Sequence, residues 1–372
     1  MESLQRNGGK VKAFQRLVRF ANWIASIPGK VTPAPFRVLQ IESAYWQSRA
    51  LYVATRLEIA DALGDGEKSA HELATTLGLH EDSLYRLLRM LASIGVFRET
   101  ESRVFANSKM SHCLRRDHAQ SVRAMVLMHN SPVMTRPWLE ELEAGIRSGE
   151  TPFVKTHGTP LFEYMDGDAE FDAQFAAAMD AVEALTGNDY LQDFDWSRFE
   201  RIIDVGGSKG AKALAILARE PQLRALVFDR PQVIEHAAES WRGKVEEAVL
   251  SRVEYAGGDM LQEIPAPASD RDVYFFMAVF HGMGDEDAHK VLANLRRAVG
   301  ERKPGIVVVD MVADERNIDP NVASFDMQML VNTRGRERTL TEWRALFDDS
   351  GFVITEVVAV RTFARFIVLR PL

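Results

Sequence analysis

The sequence predicts an α/β chain. Its second half folds as a mostly parallel sheet ending in an antiparallel hairpin, and its first half is helical with a winged-helix element. Two observations carry this. From about Phe199, short β-branched runs alternate with helical stretches, the pattern of a parallel sheet covered by helices on both faces. From about Leu39 to Glu183, apolar residues recur instead at helical spacing, without a parallel-sheet signature. At 372 residues a single core would be unusually large, because chains beyond roughly 250–300 residues split into separately packed units. Two domains are therefore expected.

Near the N-terminus, Val11, Phe14, Leu17, Val18, Ala21 and Ile24 recur at helical spacing beside Lys12, Arg16 and Arg19. This amphipathic helix packs on its own fold or on a second subunit, with a membrane surface as the alternative. Trp46, Ala50, Leu51, Val53, Ala54, Leu57, Ile59 and Leu63 form the next apolar stripe, closed by Gly64. Ser69 stands three residues before Glu72, a capping-box spacing, and the turn at Gly78 leads into a second helix near Glu81. That helix carries the stripe Leu84, Leu87, Leu88, Leu91 to Gly95. Val96-Phe97-Arg98 and Val104-Phe105 then read as a two-stranded wing. A DNA-reading helix needs side chains for phosphates and base edges. Here Arg86 and Arg89 are offset by Glu81 and Asp82, so packing or dimerisation is the expected role.

In the second half, Ile202 to Val205, Ala225 to Asp229, Val253 to Ala256, Val273 to Val279 and Ile306 to Asp310 read as strands. Helices follow Gly210, Gln232, Asp285 and Thr341. Val353 to Val360 and Phe363 to Leu369 are joined only by Arg361 and Thr362, a link short enough to permit only an antiparallel hairpin.

Composition narrows the function. A formal net charge of -8 argues against whole-protein attraction to nucleic acid or anionic membrane. The longest apolar runs fall far short of the ~20 residues that span a bilayer. One cysteine, Cys113, cannot form an internal disulfide, and the residues after Met1 lack the apolar core of a secretion signal. The cytoplasm is the expected compartment, and no metal site is expected.

Ligands of an open parallel sheet bind beyond the carboxyl ends of its strands. After the first strand comes Asp204-Val205-Gly206-Gly207-Ser208-Lys209-Gly210, whose glycines let the backbone approach a ligand and turn into a helix. It matches neither the dinucleotide fingerprint nor a phosphate loop. Asp229, ending the second strand, stands near the ~20-residue offset at which an acid accepts ribose hydroxyls. Asp259, after the third strand, is suited to accept an adenine amino group. Either aspartate could instead cap a helix.

Together, Asp204-Val205-Gly206-Gly207, Phe228-Asp229-Arg230-Pro231, Gly257-Gly258-Asp259-Met260, His281 with Asp285-Glu286, and Gly335-Arg336-Glu337-Arg338-Thr339 resemble the class I S-adenosylmethionine-dependent methyltransferases. Within that class they are similar to the small-molecule O-methyltransferases of the caffeate, hydroxyindole and bacterial polyketide or phenazine type. The resemblance covers roughly Glu42 to the C-terminus. It implies a Rossmann-like methyltransferase sheet, an N-terminal winged-helix dimerisation domain, a homodimer, S-adenosyl-L-methionine as cofactor, an aromatic or polycyclic acceptor from secondary metabolism, and no nucleic-acid partner. The implied organisation is an N-terminal helical extension over 1–38, the dimerisation domain over 39–120, a helical substrate-lining region over 121–198 and the catalytic domain over 199–372.

By resemblance, the cofactor set is Asp204, Gly206, Gly210, Asp229, Arg230, Asp259, Met260 and Met277, with Gly206 against the methionine portion, Asp229 at the ribose, and Arg230, Asp259 and Met260 around the adenine. His281 matches the general base, with Asp310 and Glu337 stabilising its imidazolium. Phe175, Met179, Met329 and Asn332 match substrate-lining positions. A phenol near pKa 10 and an unperturbed histidine near 6.5 leave full proton transfer uphill by roughly 5 kcal/mol, so His281 needs such partners. The chain departs from the pattern at Ser208-Lys209, where Gly is usual first, and at Gly282-Met283, where Asp-Trp is common. Nitrogen methylation and non-methylating use of the cofactor stay open. Two other classes compete. Gly206-Gly207-Ser208-Lys209-Gly210 fits the hydrolase G-x-S-x-G elbow with Asp259 and His281 downstream, but that reading leaves Asp229 without a task. A ligand-sensing winged-helix regulator is the non-enzyme alternative.

Overall fold

The structure is a computed structural model and describes residues 3–372. The chain forms two compact units. One is helical, Phe20–Gly187; the other joins Asn188–Leu372 to the segment ending at Arg19.

In the helical unit the stripe running to Leu63 is two helices rather than one, Ala34–Arg56 and Ile59–Leu63. The chain breaks at Glu58, in the left-handed region with φ 57°. Its carboxylate accepts from Arg123 at 3.0 Å and from Arg116, so tertiary ion pairs hold a turn that spacing alone does not reveal. Ser69 and Glu72 form the reciprocal cap of helix Ala70–Leu77, which stops at Gly78 with φ +66°. Helix Glu81–Ser93 buries Leu84, Leu88 and Leu91. The wing, Phe97–Glu101 and Val104–Asn107, gains a third strand, Glu67–Ser69, too short to show a period. Further along, helices Arg123–His129, Pro152–His157, Leu161–Gly167 and Ala169–Thr186 enclose a small core of Met128, Met134, Phe153, Met165 and Phe171.

The other unit is built on seven strands: β1 Arg201–Val205, β2 Arg224–Asp229, β3 Val253–Gly257, β4 Asp272–Met277, β5 Gly305–Met311, β6 Phe352–Ala359 and β7 Ala364–Pro371. Their order is β3-β2-β1-β4-β5-β7-β6. Only β7 runs antiparallel, paired with β5 and β6. The two-residue period divides the sheet into two faces. Ile202, Val227, Phe275, Val307 and Phe366 pack on one. Ile203, Phe276, Val308 and Ile367 pack on the other, with Phe280 and Trp343. Four helices matter to the site: α1 Ala211–Leu217, α2 Asp285–Val299, α3 Pro320–Asn332 and α4 Leu340–Asp349.

Residues 188–198 and the chain's start belong to this unit, although the sequence reading set them apart as part of a linker and of an extension. Leu4, Tyr190, Leu191, Phe194 and Trp196 join the first core cluster. The Arg6 amide donates to the Asp193 carbonyl at 2.7 Å, and the Asp195 amide to that of Leu4 at 2.9 Å. Irregular segments with scattered apolar residues carry no period to read.

Candidate functional site

The loops topping β1, β2 and β3 are tightly folded. Gly206 has φ +74°, and a Cβ there would come within 2.8 Å of Val279 and 3.1 Å of Met260; at Gly207 it would overlap the Asp204 carboxylate. Gly210, at φ +83°, starts α1 against Val227. Only glycine meets both conditions at Gly206, the positive φ and the missing volume. Ser208 adopts φ 51° between them, an uncommon conformation for a residue with a Cβ. Its amide donates to Asp229 Oδ2 at 2.7 Å, and the Arg230 amide donates to Asp229 Oδ1 at 2.7 Å. Two amides thus fix the carboxylate at the end of β2, and each oxygen keeps a further lone pair. After β3, a Cβ at Gly258 would lie 2.5 Å from the Phe228 ring, so that loop folds onto β2. Asp259 is exposed, its Oδ1 accepting from the Leu261 amide at 2.8 Å, and the Met260 carbonyl is held by Asn294. Met277 faces the first core cluster, with its sulfur 3.4 Å from the Tyr190 hydroxyl. β4 stops there rather than at Val279 because Ala278 turns to φ 53°.

One strand further, at β4 and β5, the structure brings His281, Asp310 and Glu337 together. His281 sits in a short turn, Phe280–Gly282, before α2. Its Nδ1 lies 2.9 Å from Glu337 Oε1. The imidazole keeps 21% of its surface accessible, whereas the Glu337 carboxylate has none. Asp310, near the end of β5, is 3% exposed. Burial alone would depress the imidazole pKa, but the charge of Asp310, the hydrogen bond and charge of Glu337, and a backbone hydrogen bond at Ala278 carry it up to about 9. Burial pushes the Asp310 carboxyl up to about 6; Glu337 adds to this, and the His281 charge opposes it.

Asp310 Oδ2, Glu337 Oε2 and Asn332 Oδ1 are buried without a hydrogen-bond partner. Unsatisfied buried acceptors are costly, and three of them on the site's residues make it receptive to a ligand that donates. Asn332 ends α3, fully buried, one turn after the half-buried Met329. Phe175 and Met179 lie on Ala169–Thr186 in the helical unit, where Phe175 packs edge-on to Phe162 and Met179 is 39% exposed.

The supporting residues escaped sequence reasoning as individuals. Arg338, 1% exposed, donates to the carbonyls of Phe280 at 2.9 Å and Met283 at 3.0 Å and pairs with Asp285 at 2.6 Å, clamping the turn that carries His281. A Cβ on Gly335 would overlap the His281 carbonyl oxygen. Asp326 accepts from the Glu337 amide at 2.8 Å. The run from Gly335 to Thr339 was the available signal, but it does not say which charge turns inward. His281 pairs with Glu337 rather than Asp259, and Ser208 is exposed; neither suits a serine nucleophile relay. Among the described residues no cluster of three or more His, Cys, Asp or Glu could hold a metal, and no helix is long and apolar enough to cross a membrane.

Residues 138–353 match the model of an O-methyltransferase domain, and residues 39–117 that of an O-methyltransferase dimerisation domain. The phenazine O-methyltransferase PhzM of Lysobacter antibioticus is 33% identical over 90% of this chain and 96% of its own. The phenazine-1-carboxylate N-methyltransferase of Pseudomonas aeruginosa is 30% identical, over 89% and 96%. Among solved structures, CalO1, a methyltransferase of calicheamicin biosynthesis in its SAH-bound form, superposes with a TM-score of 0.76 at 28% identity, covering 91% of this chain and 98% of that one.

Proposed function

The chain belongs to the class I S-adenosylmethionine-dependent methyltransferases that act on small molecules of secondary metabolism, and on that premise we propose that it methylates a hydroxyl of an aromatic or polycyclic acceptor with His281 as general base. The observation that supports this reading best is the buried pairing of His281 with Glu337 beside Asp310.

Bound S-adenosylmethionine supplies an electrophilic methyl group on a sulfonium. The loops after β1 to β3 fit it, since Asp229 is fixed at the end of β2 with spare lone pairs. In this assignment Asp204, Gly206 and Gly210 shape the loop at its methionine end, and Asp229 accepts the ribose hydroxyls. Arg230, Asp259 and Met260 surround the adenine, whereas Met277 packs with Tyr190 in the core cluster on the other face of the sheet. Met329 and Asn332 line the acceptor ring, whose hydroxyl the base deprotonates as the new bond forms.

The elevated pKa makes His281 a strong proton acceptor. Against a phenol near 10, transfer to a group at about 9 is uphill by only ~1.4 kcal/mol, compared with roughly 5 for an unperturbed imidazole. Asp310 and Glu337 hold the proton on the ring once it has moved. The matched dimerisation domain supports a homodimer, and the single cysteine, Cys113, suits a reducing compartment such as the cytoplasm.

The test is a mass-spectrometric screen of candidate phenols with the cofactor, scoring a gain of about 14 Da, the CH2 increment of a placed nucleophile. H281A should lose turnover by about 10²-fold or more while calorimetry with S-adenosylhomocysteine records unchanged affinity. The nitrogen-methylating Pseudomonas relative favours one second reading, an acceptor nitrogen with a free lone pair. That substrate needs no base, and H281A would then keep most of its activity.

A further inference from the structure

Arg338 is a buried cation where fold stability alone does not ask for a charge. It is 1% exposed, with its guanidinium carbon 5.2 Å from the centre of the Trp343 ring, which itself packs on Phe280 and Phe347. Exchanging a buried ion pair for apolar side chains of similar volume is often neutral or stabilising. The charge therefore calls for another reason.

That reason lies in the segment it binds. Between β4, ending at Met277, and α2, starting at Asp285, the chain makes a single short turn, Phe280–Gly282, closed by the Met283 amide on the Phe280 carbonyl at 3.1 Å. Glycines follow His281 at 282 and 284. A Cβ at Gly282 would meet nothing within 4 Å, and Gly284 offers no side chain to cap α2. Glycine has the most backbone freedom to lose. The imidazole that must stay 2.9 Å from Glu337 is thus mounted on a weakly held segment.

Arg338 supplies the restraint from outside. Nη1 donates to the carbonyl of Phe280, just before His281, at 2.9 Å, and Nη2 to that of Met283, just beyond Gly282, at 3.0 Å. Nη2 also donates to Asp285 Oδ1 at 2.6 Å, while Arg336 pairs with the other oxygen at 3.3 Å, so the first residue of α2 is tied to the same run. Glu337, next to Arg338 in sequence, meets the imidazole. One planar fork therefore sets the backbone of the base against the carboxylate it pairs with, which the point charge of a lysine does less well. Burial favours the protonated Asp310 carboxyl, and the Arg338 charge is among those that oppose this.

We propose that Arg338 is a positioning residue for the proton transfer, holding the carbonyls on both sides of His281 so that the imidazole stays on Glu337. The inference rests on the reading of His281 as base.

The test is a histidine-selective NMR titration of the full-length protein with S-adenosylhomocysteine bound. Among nine histidines, the signal missing in H281A identifies the ring. In the wild type it should titrate near 9. R338Q frees the turn, and the ring should then titrate closer to the ordinary value of about 6.5, with R338K recovering part of the shift. Turnover is read on the first phenol methylated in the screen above. In R338Q kcat should fall by about 10²-fold, the cost of an ångström of misplacement, while the KM for that phenol and the S-adenosylhomocysteine affinity change by no more than about threefold. A purely structural arginine would lower the denaturant midpoint and move neither the titration nor kcat. D285N removes the anchor and leaves Arg338 in place; it should move both readouts in the same direction by less, and it decides the matter if R338Q does not fold. A His281 titration or a kcat that stays at the wild-type value in these variants overturns the proposal. Turnover surviving in H281A would instead overturn the reading of His281 as base, and the titration would still report on Arg338.

Discussion

At the scale of single residues, the site is governed by where charge is buried. His281 is raised to about 9, so near neutral pH the free enzyme holds mostly imidazolium, and only the neutral fraction accepts a proton. With kcat/KM reporting free-enzyme groups, its logarithm should climb with unit slope below the pKa and level near pH 9. An unperturbed histidine would level near 6.5. In E337Q the hydrogen-bonded carboxylate is gone, so the limb should shift toward lower pH while the plateau drops. A wild-type profile already flat between pH 7 and 9 would contradict the elevated pKa. The same raised value means that protonated His281 stabilises the fold near pH 6.5 and loses that contribution as pH rises through about 9, while its pairing with Asp310 also fades below about 6 as that carboxyl takes up a proton.

At the scale of elements, two backbone junctions carry the site. The loop at Gly335 lies against the turn at His281, and any side chain there must displace the His281 carbonyl. G335A should cost about 1–3 kcal/mol in denaturant unfolding through overpacking. It should also lower kcat by about 10²-fold if the imidazole moves by an ångström. Activity at wild-type level in G335A would show that the junction does not position the base. In the loop after β1, G206A places a Cβ within 2.8 Å of Val279 at a positive φ. Its expected signature is weakened S-adenosylhomocysteine binding by calorimetry. S69A, in the helical unit, removes a reciprocal cap. It should cost about 1 kcal/mol in thermal or chemical unfolding and nothing in cofactor affinity, separating stability from function.

At the scale of the whole molecule, the segment matched to the dimerisation domain begins at Leu39. Around it the helix Ala34–Arg56 exposes Leu39 at 60%, Ile41 at 62% and Trp46 at 58%. A helix with so much apolar surface facing water is an interaction surface. Sedimentation velocity at micromolar concentration should find a dimer for the wild type and a monomer for the L39E/I41E double variant, with helical circular dichroism retained. A monomeric wild type would remove the homodimer from the reading.

The strands, the hairpin, the capping box at Ser69 and the edge positions Gly206, Asp229, Asp259 and His281 were legible in the sequence because each leaves a local trace. Period two, β-branched runs, turn residues and motif spacing are written in neighbouring letters. The break at Glu58, the capture of Leu4 and Trp196 by the sheet unit and the clamp at Arg338 leave none. They depend on pairings between residues 50 to 190 positions apart. Chain order names the groups able to carry charge; only the packed sheet decides which are brought together, and the carboxylates of Asp310 and Glu337, against the effect of burial itself, raise the pKa of an ordinary histidine.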